Sequence, residues 1–90
     1  MKIPFLITYD LKKTGKDYES VTKEIKKIGV WWHCLGSVWI IISNLDCSQL
    51  RNKISRYMDK NDELLVVELA GSWATSNLSK NCNDWLKNNL

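Results

Sequence analysis

Val30-Trp31-Trp32-His33-Cys34-Leu35, then Gly36-Ser37, then Val38-Trp39-Ile40-Ile41-Ile42, is the stretch on which the fold turns. Two β-branched and aromatic runs joined by a Gly-Ser pair predict a β-hairpin. Toward the N-terminus, Tyr18, Val21, Ile25 and Ile28 recur at spacings of three and four, which makes one apolar helical stripe. Asp17 is placed to cap that helix, and Gly29 to end it by entering the left-handed region. Toward the C-terminus, Asp46-Cys47-Ser48-Gln49 has the form of a capping box, with Leu45 and Leu50 at hydrophobic-staple positions. Leu50, Ile54, Tyr57 and Met58 then form an apolar helical face, closed by the turn Asp59-Lys60-Asn61-Asp62. The outermost elements are extended: Ile3-Pro4-Phe5-Leu6-Ile7-Thr8-Tyr9 and Leu64-Leu65-Val66-Val67-Glu68-Leu69 both read as strands. Gly71-Ser72 opens a tail that carries Trp73 and a short helix from Asn83 to Asn88.

The resulting order is strand, helix, strand, strand, helix, strand. It predicts an α+β, ferredoxin-like βαββαβ sandwich with a four-stranded antiparallel sheet, formed by residues 1–70, and a C-terminal extension, 71–90, packed on the sheet or on a dimer partner. Ninety residues that are 44% hydrophobic supply a single core and leave no room for a second domain. No run approaches the roughly 20 apolar residues of a membrane span, and the N-terminus lacks the layout of a secretory signal, so a cytosolic protein is expected. Cys34, Cys47 and Cys82 are odd in number and lack Cys-x-x-Cys spacing, so free thiols are the default expectation.

The strands do not alternate apolar with polar residues. Phe5 and Ile7 point opposite to Leu6, Val38 and Ile40 opposite to Trp39 and Ile41, and Leu64 and Val66 opposite to Leu65 and Val67. Both faces of the sheet therefore avoid water, whereas two helices cover only one. Either the tail, through Trp73 and Trp85, or a second copy must cover the other face. A homodimer using both is the expected arrangement, with Trp39, Trp73 and Trp85 at its interface.

The formal charge is only +3, but Lys12, Lys13, Lys16, Lys23, Lys26 and Lys27 fall in one loop-and-helix stretch, while Asp59, Asp62 and Glu63 crowd a later turn. One end of the molecule is thus expected to be basic and another acidic. Lys12, Lys13, Lys16, Lys23 and Lys27 are candidates to follow a nucleic-acid backbone, although a solvated helix face has the same pattern and no exposed aromatics are seen to interleave with them. Asp10, at the tip of the first strand beside these lysines, is a candidate metal ligand and catalytic residue or else a solvated strand end; Mg²⁺ is the cation such an oxygen site would take. His33 and Cys34 are neighbours on a strand, face opposite ways and cannot act as a pair.

Tyr9-Asp10 closing the first strand, Ser37-Val38-Trp39 opening the third and Asp62 before an apolar fourth strand resemble the Cas-two family of CRISPR-associated proteins over most of residues 1–70. Tyr9-Asp10-Leu11, Trp31-Trp32-His33, Ser37-Val38-Trp39-Ile40 and Gly71-Ser72-Trp73-Ala74 are similar to small bacterial proteins grouped beside that family. The resemblance implies a ferredoxin-like homodimer, with metal-dependent phosphodiester cleavage at the position of Asp10 in some members and a structural, DNA-bridging role in others. The leading expectation is a homodimeric domain that contacts nucleic acid or a nucleic-acid-processing protein. A Mg²⁺-dependent endonuclease using Asp10 and a protein-interaction module or inhibitor in a defence or toxin system are the alternatives.

Overall fold

The computed structural model describes residues 2–12 and 18–90. Its elements are β1 (Ile3–Asp10), α1 (Glu19–Ile28), β2 (Val30–Leu35), β3 (Val38–Ser43), α2 (Cys47–Ser55), β4 (Glu63–Glu68) and α3 (Lys80–Asn89). The four strands form one sheet in the order β2-β3-β1-β4, every neighbouring pair antiparallel, so β2 and β4 are its edges.

Local sequence accounts for most of these boundaries. Gly36 and Ser37 close the β2–β3 hairpin, with Leu35 opposite Val38 and an irregularity between Trp32 and Leu35. The capping box forms as read: the Asp46 carboxylate accepts from the Gln49 amide at 2.8 Å and Gln49 Oε1 accepts from the Asp46 amide at 2.9 Å. The α1 stripe buries Val21 and Ile25, and its N-cap position is Tyr18; Asp17, expected to cap it, lies outside the described residues.

Gly29 ends α1 for a reason other than the expected one. Its backbone is extended at φ 174°, open to any residue, but a Cβ there would collide with the Ile42 carbonyl oxygen. A glycine is required because β3 approaches so closely.

The main core lies between α1, α2 and one sheet face. Phe5, Ile7, Val21, Ile25, Trp39, Ile41, Leu50 and Ile54 are all almost fully excluded from solvent. At about 1.5–3 kcal/mol for each fully buried side chain, this cluster is the principal source of stability. Trp39, expected at a dimer interface, is spent here: it is 1% exposed, stacks on His33 at 3.7 Å between ring centroids, and donates its Nε1–H to Tyr9 Oη at 3.0 Å. Ordering such a ring inside the chain leaves no surface for a partner.

The opposite face carries a second, smaller cluster in which α3 lays Leu86 against Trp32 and Ile40, with Val38, Leu69, Leu78 and Trp85 around them. The tail thus covers the β2–β3 half, and its helix is longer than the expected Asn83–Asn88. Trp85 packs within this cluster, whereas Trp73 stays 41% exposed. Cys34 of β2 and Cys82 of α3 form a disulfide, which corrects the expectation of three free thiols; Cys47 alone is free. The strand's alternation turns Cys34, like Trp32, toward α3 and His33 toward the main core. No helix among the described residues is long and apolar enough to cross a membrane.

Candidate functional site

Asp10 ends β1 directly opposite Glu63, the first residue of β4. Two like charges facing each other across antiparallel strands repel. Lys12 resolves the conflict by placing its Nζ 2.7 Å from Asp10 Oδ2 and 2.9 Å from Glu63 Oε1. Hydrogen bonding to Asp10 first, and to Glu63 next, holds the Lys12 ammonium well above the ordinary lysine range.

Behind this bridge, Asp62 ties three segments together. Its Oδ1 accepts from the Lys12 backbone amide at 2.8 Å and from Tyr18 Oη at 3.0 Å, and its Oδ2 accepts from the Asp59 amide at 2.8 Å. One carboxylate therefore fixes the exit of β1, the entry to α1 and the turn before β4. Beside it opens a groove of about 690 Å³ lined by Lys12, Met58, Asp59, Lys60, Asn61 and Asp62.

The expected separation of a basic end from an acidic one is not observed at this point. Antiparallel pairing brings the end of β1 and the start of β4 to the same end of the sheet, so Lys12 stands among the acids of the Asp59–Glu63 turn. Glu63 was legible only as a turn residue, because nothing in its sequence spacing relates it to Asp10. Their meeting is a consequence of register.

Nothing in this arrangement supports a Mg²⁺ site. That ion takes one or two carboxylates together with waters and phosphate in octahedral geometry, whereas here a lysine ammonium bridges the Asp10 and Glu63 carboxylates. Among the described residues, no three His, Cys, Asp or Glu side chains converge as metal ligands.

The other candidate residues divide. Lys13 and Lys16 lie outside the described residues. Lys23 and Lys27 are exposed on α1, Lys23 pairing with Glu19 at 3.1 Å one turn away. Lys23, Lys26 and Lys27, separated by three and four positions, share one helical face. Lys26 Nζ lies 4.9 Å from the ring centroid of Trp31, and this tryptophan, on the edge strand β2, is 40% exposed. The signal available in the sequence was its alternation with Trp32: if one ring faces the sheet's second layer, the other must face the helices, at an edge where α1 covers it only partly.

No protein-family model and no solved structure matches the chain.

Proposed function

We propose that this chain is a ferredoxin-like, Cas-two-like domain that self-associates as a homodimer and serves nucleic acid as a binding or bridging element, with no catalysis at Asp10. The observation that carries the nucleic-acid reading is the pairing of Lys26 with the exposed Trp31 ring, next to Lys23 and Lys27 on the same helical face. A flat aromatic beside several ammonium groups suits a single strand, whose bases stack while its phosphates are neutralised. Lys12 is already engaged by Asp10 and Glu63, so α1, not the strand tip, is the working surface. Self-association is supported by the β1–β4 half of the second face, where Leu65 is 54% and Val67 39% exposed beyond the reach of α3.

Under this reading the protein works in the cytosol. There the Cys34–Cys82 bond is open to thiol exchange. The docking of α3 does not depend on it alone, because Leu86 packs on Trp32 and Ile40 and the Trp32 Nε1–H donates to the Cys82 carbonyl at 3.1 Å.

The test is a fluorescence titration with single-stranded DNA and RNA oligonucleotides at a series of salt concentrations. Three lysines at phosphates predict a log–log salt slope of about −2 for a single strand. Trp31→Ala and Lys26→Glu are expected to weaken binding strongly, Asp10→Ala to leave it unchanged, and Mg²⁺ to produce no cleavage. Cleavage that requires Mg²⁺ and Asp10 would instead establish the endonuclease reading; absence of any binding at low salt would leave protein recognition as the function.

A further inference from the structure

β4 is an edge strand whose outer backbone row has no neighbour in the sheet. Its side chains divide cleanly between the faces: Leu64, Val66 and Glu68 lie on the helix face, Glu63, Leu65 and Val67 on the other. An exposed edge with apolar side chains is a template for another strand, and neither a proline nor a lysine within β4 discourages pairing.

Two charges flank this edge. Glu68, at the C-terminal end, and Arg51, on α2 over the N-terminal half, are both exposed on the helix side. Among the described residues, Glu68 pairs with no cation and Arg51 with no carboxylate; the Arg51 guanidinium reaches only Asn52 Oδ1, at 3.2 Å. Arg51 borders a depression of about 220 Å³ that it shares with Cys47, Ser48, Leu64, Leu65 and Val66.

We infer that two copies join edge to edge through antiparallel β4 strands, with the twofold axis at Val66, to make one continuous eight-stranded sheet. The inference rests on the proposal that the chain self-associates and adds the surface and the register. In a continuous sheet, residues directly opposite each other must lie on the same face, which excludes the pairing of Glu63 with the partner's Glu68. A pairing displaced toward the N-terminus would set Asp62 against the partner's Glu68, acid against acid. With Val66 on the axis, Leu65 meets the partner's Val67, and Leu64 meets the partner's Glu68. This delivers the partner's Glu68 to the depression that Arg51 borders, and symmetry makes the same contact twice.

The test uses charge reversal on the full chain and sedimentation equilibrium from micromolar to about 0.5 mM. Arg51→Glu and Glu68→Arg each reverse both contacts of their own homodimer, and each is expected to weaken dimerisation about tenfold or more. Mixing the two variants should restore dimers, because both contacts across a mixed dimer again oppose an acid to a base. Val67→Lys, on the opposite face of the edge, should also give monomers. A dimer unaffected by any of these changes would overturn pairing through β4 while leaving self-association standing. A wild-type chain that stays monomeric throughout the range would overturn both.

Discussion

Removing the Cys34–Cys82 bond, by reduction or by Cys34→Ser with Cys82→Ser, is the perturbation whose size the structure best defines. The bond joins residues 48 apart in sequence and fastens α3 to β2. Freeing a loop of that length returns about 4 kcal/mol of chain entropy to the unfolded state at 25 °C, and realised values fall at or below this figure. A domain of this size has only about 5–15 kcal/mol in total, so the loss is severe without abolishing folding. It corresponds to a fall in melting temperature of roughly 15–30 °C if the whole amount is realised. The native α3 still has Leu86 on Trp32 and Ile40 to hold it, so the far-ultraviolet signal of the reduced protein at low temperature should match that of the oxidised one. The assay is urea unfolding with and without reductant, together with thiol titration in denaturant. One reactive thiol, Cys47, is expected in the oxidised protein. Three thiols in protein that has been air-oxidised before denaturation, or an unfolding midpoint indifferent to reductant, would refute the reasoning.

Two further outcomes follow from the same geometry. Gly29→Ala forces a Cβ against the Ile42 carbonyl oxygen, which can move only with the β3 backbone, so a loss of about 1–3 kcal/mol is expected by urea unfolding, in contrast to a near-neutral Gly36→Ala in open space. Lys12→Met leaves Asp10 and Glu63 opposed without their bridge and should lower stability. The folded state raises the Lys12 pKa above its unfolded value, so the lysine's contribution is fully present below that unfolded value, near 10.5, and disappears only as pH rises through the higher folded one. The difference in urea midpoint between wild type and variant should therefore be constant from roughly pH 6 to 9; its loss by pH 9 would contradict the bridge.

The order of elements, the Gly36–Ser37 hairpin, the Asp46–Gln49 capping box and the apolar character of both sheet faces were all legible in the sequence, since each depends on residues within a turn or a strand of one another. What lay beyond reach was every contact created by register. Asp10 faces Glu63 because β1 and β4 run antiparallel with that alignment; Asp62 becomes a tie between three segments because the same alignment brings Lys12 and Tyr18 to it. Cys34 and Cys82, unremarkable in their spacing, bond because α3 folds back across β2, and of two adjacent tryptophans one is buried and the other exposed because the edge strand has a covered side and a partly open one. Periodicity specifies which way a side chain points relative to its own backbone; only the packing of distant segments specifies what it then meets.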